Sequence, residues 1–449
     1  MHTVRIQAAA IVARRDQVFQ PGQVVIHGGQ IVEVTSRLDQ RPDVDLGEQV
    51  ILPGLVNPHT HLEFCQLSQP FPSGSNFPQW ISSVVNYRRQ RDSGKELEQI
   101  REDLRCSIEA GLAESRDFGV ATLCDIATMP WSLECLPDFD RSMRSMDSPD
   151  ASAWDRSRVL QHRFPTVVAA LEQIGLDENR GAQSDAWRRE IEQQYQTGQA
   201  STSDRRLLEI ALSPHAPYST AWSFFTAVVQ IAKSSDRLLV THLAESQDEL
   251  QWLRDGTGAF RDVFERLGIR ASEIQRPTVT EVIEQLAGAP RSLLVHGNYL
   301  TDQEIQIVAK HRDRMRVAYC PRTHSHFGHE EYPLEKLRRA GIDVVLGTDS
   351  RASNPDLNLW QEARHALSLH KSLSPWDALE TITLGASQSL GLHHRYGAIA
   401  PGFDAVLCVA TAPKKKLIST ELIEFLFENN HRLIPLWQER LLHDKGASR

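Results

Sequence analysis

The residues of this 449-residue chain best suited to chemistry are histidines and acids that each close a short apolar run. His59 and His61 follow ILPGLVN, His215 follows IALSP, His242 follows LLVT, His296 follows LLV, and Asp349 follows VVLGT. Residues i and i+2 of an extended chain point to one face, so the His59-Thr60-His61 spacing can offer two imidazoles to one ion. Taken alone, that pair fits a core or surface histidine equally well. His242 as a third nitrogen ligand and Asp349 as an oxygen ligand complete a mixed set suited to zinc or iron, with a position left open for water. An ion so held lowers the pKa of its water from about 15.7 toward neutrality, which makes hydroxide available at cellular pH.

The remaining groups divide the work around that water. Asp349, beside the ion, can take the proton. His296 can hydrogen-bond the nucleophile or a developing oxyanion; its plainer role is a satisfied strand-end histidine. Glu245 lies three residues after His242 in THLAES, placed to protonate a ring nitrogen or leaving amine; the alternative is a surface glutamate capping the next helix. His215, stiffened by Pro214 and Pro217, is expected to contact substrate rather than metal. A second HxH, His324 and His326 in CPRTHSHFGH, has neither a carboxylate nor a third ligand and is expected to form a substrate-lid loop. Cys65 and Cys320 fall beside these segments and are expected to be small buried apolar residues.

Elements must bring these residues together. ILPGLVN, VATLCDIA, LLEIALSP, LLVTHLAE, SLLVHGN, RVAYCP and DVVLGTD are buried-strand patterns separated by amphipathic stretches such as ELEQIREDLRCSIEAGLAES, an alternation that implies a parallel sheet. RSRVLQHRF, after Asp155, is the candidate for an eighth strand. In a parallel barrel the C-terminal strand ends converge on one mouth, which would gather the histidines and acids there. Before the first of these strands, β-branched alternation flanks Gly28-Gly29 as in a hairpin, and GAIAPGFDAVLCVA near the other end suggests a further strand. The expected organisation is an α/β fold: a composite β domain of residues 1–55 plus 396–449 around a barrel of residues 56–395. Two polar stretches, 137–155 and 177–204, are expected to decorate it as loop excursions, with a surface helix around AWRREIEQQY.

Composition narrows the class. A hydrophobic fraction of 41% and a charged fraction of 24% are ordinary for a globular chain. The formal charge of -9 argues against a nucleic-acid partner, because phosphate binders carry a basic surplus. No apolar run approaches the roughly 18 residues of a membrane span, and AAAIVA is too short for a signal-peptide core. The six cysteines are scattered without a CxxC. The expected setting is therefore cytoplasmic, with reduced thiols and a small-molecule substrate plus water as partners. The sequence leaves the oligomeric state open, a homodimer being one option.

At LPGLVNPHTHLEF, SPHAPYS, THLAES, LVHGNYL, YCPRTHSHFGH, VLGTDS and TLGASQSLGL followed by GAIAPGFDAV, the sequence resembles the amidohydrolase superfamily, in its mononuclear deaminase and chlorohydrolase branch. The resemblance spans nearly the whole chain in order. It implies a distorted (β/α)8 barrel with a small β-sandwich built from both termini. It also implies one metal held by His59, His61, His242 and Asp349, with Glu245 shuttling protons and His296 positioning the water. No strand-end lysine stands where binuclear relatives carry a carbamylated bridge. Within the branch, NPHTHLEF followed by FPQWISSVVNYRR resembles aminodeoxyfutalosine deaminases, adenine-nucleoside deaminases of menaquinone biosynthesis. That likeness makes Glu63, Trp80, Arg88 or Arg89, and His215 candidates for holding a nucleoside and its tail; Arg88 and Arg89 could equally be a solvated helix face.

Two segments depart from the pattern: Tyr319 precedes Cys320 where histidine is usual, and FDAV replaces an Ala-Asp pair. The expected reaction is hydrolytic deamination of an aminated purine nucleoside or related N-heterocycle. The rivals are removal of chloride or an alkylamine from a triazine-like ring, and a non-catalytic scaffold that binds partners.

Overall fold

Eight short apolar strands pair in parallel around a ring in the computed structural model, which describes residues 3–74, 76–137, 165–197, 207–428 and 433–436. They are β1 (Leu55–His61), β2 (Val120–Ala127), β3 (Thr166–Gln173), β4 (Leu207–Pro214), β5 (Leu238–Leu243), β6 (Arg291–His296), β7 (Met315–Tyr319) and β8, split into Val344–Leu346 and Asp349–Ser350. The first piece of β8 pairs with β7 and the second with β1, which closes the ring. Every residue of β2, β3 and β5 is buried, as strands covered on both faces must be.

All seven strands expected from the sequence form. The segment RSRVLQHRF lies outside the described residues, and the eighth strand is the run just after it, TVVAALEQ. A continuous Val-Val-Ala-Ala-Leu run has no period of two, so alternation could not reveal it. Its alternate residues Val168 and Ala170 join Val240, Ala318 and Val345 in the inner cluster, which Leu390 and Tyr396 extend at the N-terminal ends of the strands. The opposite strand faces pack against the surrounding helices, as Leu212 and Leu239 do with Phe225 and Val228.

Two helices follow β1: α1 (Phe77–Asp92), whose N-cap Asn76 accepts from Gln79 N–H, and α2 (Leu97–Asp117). Leu104, Ile108, Gly111, Leu112 and Ser115 form the buried stripe of α2, spaced at the helical period. A Cβ on Gly111 would come within 2.4 Å of Cys65 Sγ, so only glycine lets α2 approach the turn after β1. Ser107, also on α2, donates through Oγ to the carbonyls of Leu62 and Glu63. A long helix thus braces the segment that carries the HTH pair. The helix expected around AWRREIEQQY spans Glu178–Gln196 and is not wholly a surface element, since Trp187 and Ile191 are buried. Residues 138–164 and 198–206 lie outside the described residues, and with them nearly all of the first polar stretch and the end of the second.

The termini share a sheet. Gln49–Pro53 pairs antiparallel with Leu407–Thr411 in a five-stranded sheet, and a four-stranded sheet holds Gly22–His27 paired with Gln30–Thr35. Gly28 and Gly29 join that last pair with φ of 60° and 86°, the positive values a two-residue hairpin turn needs. Among the described residues no helix is long and apolar enough to cross a membrane.

Candidate active site

β1 does not run straight to its histidines. Its pairing with β2 shifts register between Asn57 and Thr60, around Pro58, which has no N–H for the ladder. Such a bulge changes the face to which the following side chains point. Beyond it His59 and His61 face His242 from β5, at ring-centroid distances of 4.9 and 5.4 Å. Ligand nitrogens of these three buried imidazoles all lie within 4.8 Å of one another. Gly347, before the second piece of β8, makes room for this: a Cβ there would sit 3.0 Å from both Cβ and the carbonyl oxygen of His59.

Asp349 approaches the same cluster, with Oδ1 3.6 Å from Nε2 of both His59 and His61. Ser353 Oγ donates to its Oδ2 at 2.8 Å, which leaves Oδ1 turned toward the imidazoles. Burial alone would raise the Asp349 pKa, but the neighbouring imidazoles of His59, His61 and His296 hold it well below the usual range. Burial, reinforced by His59, drives His61 down to about 3. His242 is held well below its ordinary value by burial and by the four histidines around it. Neutral imidazoles beside an ionised carboxylate are the protonation states a cation requires.

The donor set fits an ion. Both ring nitrogens of His59 and Nδ1 of His61 are buried without a protein partner. Unsatisfied buried nitrogens are costly, and a divalent cation would satisfy them. His242 Nδ1 donates to the carbonyl of His215 at 3.1 Å, which fixes the tautomer and leaves the Nε2 lone pair able to ligate an ion.

Glu245 and His296 stand together on the same mouth, Oε1 3.4 Å from Nε2. Alternation would send His296 to the face opposite Val295, but its φ of 70° redirects it; Ala244, next to Glu245, and Asp349 share the left-handed region at 53° and 55°. Backbone this unfavourable must be held by its surroundings. Glu249 accepts from the N–H groups of Ala244 and Glu245, Asn298 Nδ2 donates to the Glu245 carbonyl, and Tyr332 Oη donates to the His296 carbonyl. Burial, then the charges of Asp349 and Glu249, push the Glu245 carboxyl well above its ordinary value, which favours its protonated form. Burial lowers His296 to about 3. Glu245 is thus no exposed helix cap; Ser246 caps Gln247–Asp255 instead.

A cavity of about 530 Å³ opens from these residues. Trp80, Arg88 and His215 line it, as do Phe77, Phe260 and Glu172. Trp80 donates through Nε1 to the Ala352 carbonyl and stacks on Phe77 at 5.7 Å. Glu63 is not among the lining residues. Its carboxylate is spent on Arg88 and Arg91, which outweigh the effect of burial and bring its pKa to about 2. Glu63 therefore holds Arg88, the residue that reaches the cavity. Arg88 itself is no solvated helix face, whereas Arg89 is exposed at the rim.

His324 and His326 are outside the cavity lining and sit on a helix, Pro321–Phe327, rather than on a free lid loop. Pro321 at its first position favours that helix. His326 Nε2 donates to the Phe71 carbonyl, and the His324 ring packs on Tyr319. Cys65 and Cys320 are buried thiols.

The sequence profile of the amidohydrolase family matches residues 50–431, which include the whole barrel and both parts of the site. The chain belongs to the amidohydrolase family. Over 429 residues this amidohydrolase is 24% identical to the 5-methylthioadenosine/S-adenosylhomocysteine deaminase of Pyrococcus abyssi, covering 93% of this chain and 87% of the relative. Its fold matches the crystal structure of Helicobacter pylori aminofutalosine deaminase in complex with methylthio-coformycin, with a TM-score of 0.72, 22% identity, and coverage of 95% and 96%. It also matches the zinc complex of atrazine chlorohydrolase from Arthrobacter aurescens, with a TM-score of 0.67, 20% identity, and coverage of 93% and 90%. Both structural likenesses are of fold.

Sequence reasoning missed three acids of the amidohydrolase site. Glu172 was hidden with its strand. Asp125, at the end of β2, accepts from Leu62 N–H at 2.8 Å, and burial raises its pKa to about 7. Glu249 stands three residues after Ser246, and that Ser-x-x-Glu spacing was the available signal.

Proposed function

We propose that this amidohydrolase is a hydrolytic deaminase acting on an aminated purine nucleoside or related N-heterocycle, with one divalent ion held by His59, His61, His242 and Asp349. Zinc is the expected ion, and iron accepts the same donors. The observation that carries the proposal is the convergence on one barrel mouth of three imidazoles with unsatisfied buried nitrogens, Asp349, and Glu245 against His296. The deaminase named among the relatives supports the choice of reaction.

The ion, when bound, acidifies a water so that hydroxide is available at neutral pH. Asp349 Oδ1, free of Ser353, accepts the proton of that water. Glu245 donates its proton to the ring nitrogen beside the amino-bearing carbon, removing charge as it develops there. His296, neutral and fixed through its backbone, holds the nucleophile or the new oxyanion by a hydrogen bond. The new C–O bond forms at the amino-bearing carbon, the C–N bond breaks as the proton held by Asp349 passes to the amino group, which leaves as ammonia, and the proton of the new hydroxyl returns to Glu245 as the ring carbonyl forms. Apolar walls around Phe77, Trp80 and Phe260 exclude bulk water from the ring.

A screen of aminated purines, nucleosides and triazines for ammonia release tests the proposal. Ammonia from a purine nucleoside is the expected result. Release of chloride or an alkylamine from a triazine, with no ammonia from any purine, would replace it with the rival reaction.

A further inference from the structure

Glu172 is a buried cavity acid with no part in the proposed deamination. Glu172 ends β3 with its side chain 1% exposed, and it lines the cavity. Alternation from Val168 and Ala170 sends it to the inner face, at the mouth. Its Oε2 accepts from Thr128 Oγ1 at 2.7 Å. Its Oε1 lies 3.7 Å from His215 Nε2, and Arg88 Nη2 is 3.7 Å from Oε2; both separations exceed a hydrogen bond. With Oε2 accepting once and Oε1 beyond hydrogen-bond reach of His215, Glu172 keeps acceptor capacity at the cavity wall.

What fills such a site must donate to the acid and also answer the groups on either side. A hydroxyl does both, since it donates once and accepts twice. An ammonium group cannot accept from Arg88, and it would be repelled by that guanidinium. Two adjacent hydroxyls suit the arrangement best: one shared by Glu172 and His215, its neighbour by Glu172 and Arg88. The set is also close to the chemistry, because the His215 ring lies 4.8 Å from that of His242 and its carbonyl receives the His242 Nδ1 proton. Arg88 is held for the purpose by two hydrogen bonds to Glu63.

We propose that Glu172, flanked by His215 and Arg88, binds the vicinal diol of a sugar attached to the reacting ring, which makes the substrate a ribonucleoside rather than a free base or a triazine. This rests on the deaminase reading for the identity of the ring. The hydroxyl recognition itself stands on the geometry of Glu172.

The test is a binding comparison on the zinc-loaded Glu245→Gln variant, which holds ligand without turning it over. Titration calorimetry with adenosine and with 2′,3′-dideoxyadenosine should show the diol form binding at least about tenfold tighter, because a site built to bond a hydroxyl rejects the analogue lacking it. Adding Glu172→Gln should shrink that gap to less than about threefold, chiefly by weakening adenosine. Equal affinities in the single variant, no binding of either ligand, or a gap unchanged by Glu172→Gln would each overturn the proposal. Should the double variant not fold, the single-variant comparison still decides. Ammonia release by the wild type is scored separately: diol preference without ammonia sinks the deaminase reading alone, and ammonia without diol preference sinks only the role of Glu172.

Discussion

Glu249 accepts the backbone N–H of Glu245 at 2.8 Å. With its other oxygen it accepts the N–H of Ala244, a left-handed non-glycine residue whose conformation costs about 1–2 kcal/mol unless its surroundings hold it. The acid four residues downstream thus positions the loop that carries Glu245, the proposed proton donor. Glu249→Gln replaces one acceptor oxygen by an NH2 group and should lower kcat roughly 10- to 100-fold, in line with small misplacements of reacting groups. Metal content should be unchanged, because His242 is anchored separately by the His215 carbonyl. Steady-state kinetics with metal analysis checks both halves.

Removing the ion should destabilise the fold as well as stop turnover. The unsatisfied nitrogens of His59 sit in a side chain that is 0% exposed, so only the native state presents them together. A ligand at 100 times its Kd adds about 2.7 kcal/mol to stability. Chelation should lower the melting temperature and abolish activity, and zinc should restore both. His59→Ala should show the chelated melting temperature with or without zinc. Calorimetric scans that coincide for chelated and zinc-loaded wild type would contradict the ligand assignment.

Gly347→Ala tests the close approach of β8 to β1. The added Cβ would meet His59 at 3.0 Å, so His59 or the β8 backbone must yield by a few tenths of an ångström. We expect zinc affinity to fall about tenfold, the low end of what disturbed ligand support costs. Competition with a chromogenic chelator measures it.

A remote prediction concerns the attachment of the N-terminal strands. Asp377 pairs through Oδ1 with Arg15, beyond the strand Ala10–Arg14, while its Oδ2 accepts from both Arg338 and Ser374 N–H. Burial would raise its pKa, but Ser374, Arg15 and Arg338 together bring it to about 2 from 3.8. A depressed carboxyl stabilises fully above pH 3.8, and that contribution fades as pH falls toward 2. Asp377→Asn should therefore cost about 1–2 kcal/mol at pH 7 and progressively less below pH 4, as read from urea midpoints.

How much of this could be seen in the residues follows from physics. Histidines and Asp349 at the ends of apolar runs were legible because a parallel ring gathers strand ends, and the β-branched hairpin around Gly28-Gly29 because two-residue turns need positive φ. Three things were not. β3 escaped because Val-Val-Ala-Ala-Leu has no alternation, and Glu172 went with it. The face to which His59 and His61 point depended on a bulge at Pro58 that spacing alone does not announce. Glu63 looked like a substrate contact, but its pairing with Arg88 and Arg91 joins a turn to a helix 25 and 28 residues away, a relation only the packed structure fixes.

In the proposed mechanism Glu245 supplies the proton for deamination beside an ion it does not bind. The most direct measurement compares ammonia release from adenosine-type nucleosides by zinc-loaded wild type and Glu245→Gln, with zinc counted in both. One ammonia per nucleoside converted by the wild type, at least a roughly 1,000-fold lower kcat in the variant, and equal zinc are expected of that mechanism. A variant of undiminished activity, or one that has lost its zinc, would contradict it.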